Sequence, residues 1–561
     1  MVGLGPSSEN HESRDPGTQK TTPAGTPASN YLFKPQDLAK VSYALVVFVV
    51  GFMVLRLWII IEIAKRFGAS EVADVLFIAL LIPVNLFLQN RKAILLGFVP
   101  VYTEYILYAD EEKFWHFTSQ FANLLVLAGL AFTLFYFLSV PYWMPLLTIG
   151  FAPEQREMTI QLTRLLCPAM FLFMLFAAQE GLLYSHRHFT TSNLAVLFGG
   201  VGGLLGLVFL GERYGIFGYG YGSLLGFLAQ VAIPSLLFWK YRTRFSFCLN
   251  FRDPGLVKFY RLLVPVYLVS IFIALIQIAS RALAATLGPG NVSALQYSGT
   301  LTWILPFVLT NSILGPLFPM ISETAVRQDW ERLKDMVRKG TRVLVFSVTP
   351  VVVALILVRV PVIELLFQRG EFTEGDTALT AYTLLFFAPF ILTMTLSLFY
   401  TQVIVNLKLI HLAAKLTMLL FLLNLAFSLI LMRPLGVGGI ALSSSLTFLL
   451  QTLVAVGLIR HRIGRLGLGV LAKSGLRVLI ACGLAAVPTH FFIQYVERSF
   501  DMTRLTYRLF GLSLEGLAFF LFYGCLVWIF ASEDAKYFYE VVRTKREKKR
   551  SGSPVPTISG E

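Results

Sequence analysis

Long apolar runs, each broken from the next by a short polar stretch, recur from residue 41 to residue 531, and none of them alternates in the manner of a strand. Crossing a bilayer takes roughly 20 apolar residues in a helix, which satisfies its own backbone hydrogen bonds in lipid. The pattern therefore predicts spans at 41–63, 74–105 (long and interrupted by polar residues), 115–140, 157–184, 190–211, 218–240, 259–287, 292–322, 339–367, 377–405, 411–432, 437–459, 474–496 and 508–531. The fold class expected is an all-α polytopic membrane protein of about fourteen transmembrane helices. Residues 1–37, rich in Ser, Thr, Pro and Gly, read as a disordered tail, and 536–561 as a basic one. No short apolar segment with a small-residue cleavage site precedes the first span, so that span is expected to serve as the insertion signal.

Charge in the connecting loops gives an orientation. Every second loop is basic: Lys240, Arg242, Arg244, Arg252 and Lys258; Arg327, Arg332, Lys334, Arg338 and Lys339; Arg460, Arg462, Arg465 and Lys473. The loops between them hold isolated cations such as Arg213, Arg369 and Arg433, with a modest cluster at Arg498, Arg504 and Arg508. Lys and Arg are retained on the cytoplasmic side, so both termini are expected to be cytoplasmic.

The chain also resembles itself at an offset of roughly 220 residues. Phe98-Val99-Pro100 with Thr103-Glu104 recurs as Phe318-Pro319 with Ser322-Glu323; Leu165-Leu166-Cys167-Pro168 recurs as Phe386-Phe387-Ala388-Pro389; Gly215-Ile216-Phe217-Gly218 recurs as Gly436-Val437-Gly438-Gly439. The expected organisation is a six-helix lobe at 38–245, a second at 246–465, and two extra helices within 466–535. An even number of spans per repeat gives both lobes the same orientation and places a cavity between them.

Composition narrows the function classes. The chain is 56% hydrophobic and 14% charged, with mean hydropathy +0.70, against roughly 25% charged residues in soluble domains. The net charge of +15 belongs to loops and tail rather than to a folded basic domain, so nucleic acid is not an expected partner. Cys167, Cys248, Cys482 and Cys525 have no metal or redox spacing and read as inert thiols. Catalytic triads, phosphate-cradling glycine loops and metal clusters are also missing from the sequence, and neither an enzyme nor a cofactor is expected.

Charges inside apolar spans are disfavoured by roughly 2.5–3.5 kcal/mol at the bilayer centre, which makes each one a candidate for a cavity. The candidates for substrate binding are Arg56, Asp74, Asn85, Arg91, Lys92, Gln277 and Arg281, the last two sharing a helix face at i, i+4. Arg164, Gln179, Glu180, Gln296 and Asn424 also lie within spans. Glu104 and Glu323 each close the second helix of a repeat and read as structural residues. Gly199-Gly200-Val201-Gly202-Gly203 is expected to let helices pack closely.

Residues 362–376, VIELLFQRGEFTEGD, resemble the LFxRGxFTxxD loop of the MurJ/MviN family of the multidrug/oligosaccharidyl-lipid/polysaccharide exporter superfamily, through Gln368, Arg369, Gly370, Phe372, Thr373 and Asp376. FGASEVADVLFIALLIP (67–83, with Asp74 at the family's acidic position), FVPVYTEY (98–105) and the segment around Pro319 extend the resemblance over essentially residues 40–531. It implies a flippase in the bacterial inner membrane that moves an undecaprenyl-linked sugar precursor, lipid II or a related molecule, by alternating access during peptidoglycan and cell-envelope synthesis. The two extra carboxy-terminal helices would form a groove for the lipid tail. Implied partners are the polyprenyl-diphosphate-linked glycan, membrane lipids and cell-envelope assembly proteins. The family's cavity arginines in helices 1 and 2 fall on Met53, Ile59 and Phe87, and the one in helix 8 on about Thr300, none of which is basic. Arg56, Arg91, Lys92 and Arg281 are the cations left to bind a diphosphate. Alternative readings are a flippase for exopolysaccharide or O-antigen repeat units, a cation-coupled multidrug exporter, or a non-transporting scaffold.

Overall fold

The structure is a computed structural model that describes residues 38–239, 244–314, 317–407, 410–464, 466–499 and 505–530; both expected tails lie outside the described residues. In chain order the helices are α1 (Leu38–Phe67), α2 (Glu71–Ala79), α3 (Phe87–Tyr108), α4 (Glu111–Leu147), α5 (Pro153–Leu166), α6 (Pro168–Ser185), α7 (Phe189–Leu205), α8 (Gly211–Tyr214), α9 (Ile216–Phe238), α10 (Pro254–Ala285), α11 (Asn291–Leu314), α12 (Leu317–Val326), α13 (Trp330–Leu357), α14 (Arg359–Phe367), α15 (Glu374–Phe387), α16 (Pro389–Asn406), α17 (Ile410–Ile463), α18 (Leu468–Ser499) and α19 (Leu505–Phe530). Strands are absent among the described residues.

Eleven helical stretches among the described residues are long and apolar enough to cross a membrane. Length and hydropathy alone therefore give fewer spans than the expected fourteen. The difference lies in interrupted segments. The second expected span is broken into α2, a π-helical turn at Leu81–Leu86 and α3. Pro83 has no N–H to donate, and the Leu80 carbonyl accepts from Asn85 at 3.0 Å, one residue beyond the α-helical register, as well as from Val84 at 3.3 Å. The eighth expected span is divided between α11 and α12, and the eleventh and twelfth run together as α17 through Gly436.

The internal duplication has a physical counterpart. Gly215, before α9, has φ 55° and ψ −132°, and Gly436, inside α17, has φ 53° and ψ −133°. A side chain at either position would meet the left-handed steric penalty, so the same tight turn calls for the same residue in both copies. Likewise α5 yields to α6 at Cys167-Pro168, and α15 to α16 at Ala388-Pro389.

Close glycine contacts pack the first half of the chain. A Cβ on Gly202 would lie 2.3 Å from the Gly226 Cα, and one on Gly206 would lie 2.4 Å from the Gly218 carbonyl, so α7 and α9 touch backbone to backbone. Helix α10 runs along α3 through Gly97, Phe259 and Leu263, and Lys258 there pairs with Glu104 at 2.6 Å. Glu323, the counterpart of Glu104 in the duplication, pairs instead with Arg327 on its own turn. The α18–α19 hairpin buries Cys482, Phe519 and Tyr523 against Phe346 and Val353 of α13, which attaches it to the second half of the chain. All four cysteines are free.

Candidate functional site

Two of the expected cations, Arg56 and Arg281, come from opposite halves to within electrostatic reach of each other. Arg56 projects from α1 with its side chain exposed. It lies within coulombic reach of the half-buried Tyr219 on α9 and of Arg281 on α10. Among the described residues Arg56 has no hydrogen-bond or ion-pair partner, and Arg281 has no carboxylate partner. Arg281 is half-buried and donates through Nη2 to the Gln296 Oε1 and through Nη1 to the Gln277 carbonyl at 3.4 Å. Like charges held at membrane depth without counter-ions raise the potential of the space between them, and that space favours an anion.

Arg91 is arranged differently. Its Nη1 is paired with Glu180 Oε1 on α6, Ser192 Oγ on α7 donates to the same oxygen at 3.0 Å, and the guanidinium lies 5.6 Å from the Phe176 ring centroid. Glu180 is 2% exposed. The pair ties α3, α6 and α7 together inside the first half, and the Arg91 charge is already neutralised. The side chains of Lys92, Gln89 and Asn90 lie outside those described. Asn85 is half-buried in the π-helical turn, and Gln277 contributes its backbone carbonyl to Arg281.

Asp74 sits elsewhere, fully buried at the seam between the halves. Its Oδ1 accepts from the Ser293 backbone N–H at 2.7 Å, and its Oδ2 from the Gly290 N–H at 2.8 Å. A carboxylate there satisfies free N–H groups at the start of α11 and meets the positive end of the helix dipole. Tyr297 Oη, one turn further along, donates to the Gly68 carbonyl at 2.7 Å, and Glu371 N–H donates to the Lys65 carbonyl at 2.9 Å.

The loop motif completes this seam. Thr373 and Asp376 form a reciprocal cap on α15, with Thr373 N–H donating to Asp376 Oδ2 at 2.9 Å and Asp376 N–H to Thr373 Oγ1 at 3.3 Å. Arg369 Nη2 donates to the Leu365 and Leu366 carbonyls at the end of α14, at 2.7 and 3.0 Å. Phe372 is buried against Phe367 and Tyr297. Gln368 is half-buried beside them. Gly370 has φ 61°, and a Cβ there would fall 2.2 Å from the Lys65 carbonyl. Backbone from α1, the α2 entry, the α10–α11 turn and the α14–α15 turn is therefore closed into one plug, at the helix ends opposite the basic loops.

Sequence reasoning missed Tyr297, Gly290 and Ser293 as partners in this plug. Gly68 was visible only as part of a motif, and the sequence held no signal for contacts made by backbone atoms across more than 200 residues.

A family model described as lipid II flippase MurJ matches residues 63–511. A probable lipid II flippase MurJ of Treponema pallidum is 25% identical over 453 residues, covering 76% of this chain and 84% of that protein. One of Thermotoga maritima is 27% identical over 403 residues, covering 69% and 78%. Among solved structures, a lipid II flippase MurJ in an inward closed conformation superposes with TM-score 0.70 at 19% identity, over 87% of this chain and 99% of that one. An inward-facing multidrug resistance MATE family transporter superposes with TM-score 0.63 at 16% identity, over 75% and 98%. At these identities the structural matches establish the polytopic fold.

Proposed function

The chain belongs to the lipid II flippase MurJ family, and from that premise we propose that it translocates a polyprenyl-diphosphate-linked sugar precursor, lipid II or a close relative, by alternating access. It is a multi-pass membrane protein. We place it in the bacterial cytoplasmic membrane with both termini and the basic loops in the cytoplasm. The lobes are taken as 38–245 and 246–465, with the α18–α19 hairpin appended to the second.

The observation that carries this reading is the neighbouring, uncompensated pair Arg56 and Arg281. A diphosphate leaves water only where cations replace its hydration, and a guanidinium binds phosphate oxygens two at a time. With the basic loops cytoplasmic, the closed plug around Asp74 is external, and the space between the arginines faces the cytoplasm, where the precursor is made. The headgroup enters between the lobes and bridges the two guanidiniums while the polyprenyl chain stays in lipid. Opening the plug and closing the other end then delivers it outside. A flippase makes and breaks no bonds in its cargo, so no residue is given a catalytic role.

Arg91, paired with Glu180, is assigned to holding the first lobe together rather than to the headgroup. The test is complementation of a flippase-depleted strain, with analysis of the lipid-linked intermediates that accumulate. The intact chain should restore growth, and Arg56→Gln with Arg281→Gln should not, at equal expression. Growth of the double variant would remove the arginines from the reading. Failure of the intact chain to relieve lipid II accumulation would assign it another glycan or a non-transporting role.

A further inference from the structure

Gln296 stands between Arg281 and the body of α11, and both ends of its amide are committed. Its Oε1 accepts from Arg281 Nη2, and its Nε2 donates to Thr300 Oγ1 at 3.3 Å. Thr300 is itself fixed, because it is buried and its hydroxyl donates to the Gln296 backbone carbonyl at 2.9 Å. The hydroxyl can give its proton only once, so it can only accept from the amide, and that sets the amide orientation with its oxygen toward the guanidinium.

Arg281 belongs to α10 and Gln296 to α11, so this contact crosses between helices. A long side chain on α10 with only the 3.4 Å contact to its own Gln277 carbonyl would sample several rotamers. Tethering one nitrogen to Gln296 removes that freedom. A guanidinium has five N–H donors, and the two bonds to Gln277 and Gln296 leave three of them uncommitted. Arg56, on α1, has all of its donors uncommitted among the described residues.

We propose that Gln296 is a positioning residue for the anion site: it holds the Arg281 guanidinium toward Arg56, so that the two cations form one clamp for a diphosphate bridging α1 and α10. This rests on the reading that Arg56 and Arg281 receive the headgroup. Neutrality is part of the role. A carboxylate at position 296 would hold Arg281 at least as firmly and would also cancel its charge. An amide fixes the geometry and leaves the charge available to an anion.

The experiment uses the full chain purified in detergent, with inorganic pyrophosphate as the probe. Binding is read by titration calorimetry, and stability without ligand by thermal melting. Wild type binds pyrophosphate, and Arg281→Gln weakens it by about tenfold or more, as expected for losing a charge-assisted contact. Gln296→Met, which keeps the length and loses the acceptor, weakens binding by about three- to tenfold. Gln296→Glu melts at or above the wild-type temperature and yet binds as poorly as Arg281→Gln.

A residue that served only packing would keep wild-type affinity in Gln296→Met, whereas Gln296→Glu lowers affinity on either role, because a carboxylate beside Arg281 cancels its charge. Wild-type affinity in Gln296→Met overturns the proposal while the anion site stands. Equal binding by wild type and Arg281→Gln overturns the anion site, and this inference with it.

Discussion

Asp74 on α2 accepts the Ser293 backbone N–H at 2.7 Å across the seam between the two halves, 219 positions away in sequence. Every polar atom of that carboxylate is matched to a backbone donor at the start of α11, with Gly290 taking the second oxygen. Asp74→Asn replaces one acceptor by an amide that confronts an N–H. The loss of a buried hydrogen bond to a charged group destabilises this contact by about 1.5–3 kcal/mol. The plug should open more often, and a cysteine placed at the buried Ala69 or Ser293 should react faster with a membrane-impermeant maleimide in the Asn background. Equal labelling rates in both backgrounds would show that Asp74 does not hold the seam.

Gly370→Ala tests the same closure by shape rather than charge. Its φ of 61° disfavours a side chain by about 1–2 kcal/mol, and the added methyl would sit 2.2 Å from the Lys65 carbonyl. Gly68, with φ 62°, faces the Glu371 carbonyl at 2.7 Å in the same way. Each Ala variant should loosen the plug as Asp74→Asn does. Since all three act on one contact surface, their effects on labelling should combine less than additively.

Arg91 and Glu180 predict a different kind of phenotype. Removing one partner of a buried ion pair strands the other charge, which destabilises by about 3–5 kcal/mol. Glu180→Gln should therefore lower the melting temperature markedly, and Arg91→Met combined with Glu180→Met should recover most of the loss. If Arg91 serves the headgroup, the double variant will be stable and inactive in complementation. If it serves the first lobe, as assigned here, the double variant will be both stable and active.

That contrast marks where the sequence is informative. Arg91, Asp74, Arg56 and Arg281 were all legible as charges at membrane depth, because the energetic penalty for a charge in an apolar run is local. Which of them remain uncompensated was not legible. The answer for Arg91 depends on Glu180, 89 positions away, and for Asp74 on backbone amides of α11. Gly215 and Gly436 were legible as a repeat because one backbone conformation selects glycine in both copies. The loop at 368–376 stood out as a motif, but its role as the far wall of a plug depends on where the end of α1 comes to rest. The span count suffered for a related reason: the π-helical turn at Leu81–Leu86 and the merged helix α17 are backbone events that hydropathy averages over.

His186 gives a prediction in pH. It lies at the end of α6, outside the apolar span and fully buried, with the Tyr102 ring edge-on at 5.7 Å and Phe114 at 6.3 Å. Burial pushes its pKa down from 6.5 to about 3, with the nearby His188 adding to the effect. The folded state thus keeps this imidazole neutral at pH values where the unfolded chain has already bound a proton. Stability from this group is complete above pH 6.5, falls as the pH drops toward about 3, and levels off below that. Near pH 5 the unfolded state gains about 2 kcal/mol from the extra proton, at roughly 1.4 kcal/mol per pH unit. His186→Leu keeps an apolar side chain among the same rings and removes the titration. The melting temperature of the wild type minus that of the variant, followed from pH 7.5 to 5, should fall with the pH, because the wild type loses stability that the variant does not. Parallel curves would mean that His186 takes up its proton over the same pH range in the folded and the unfolded chain, and burial at this site would then have no bearing on acid sensitivity.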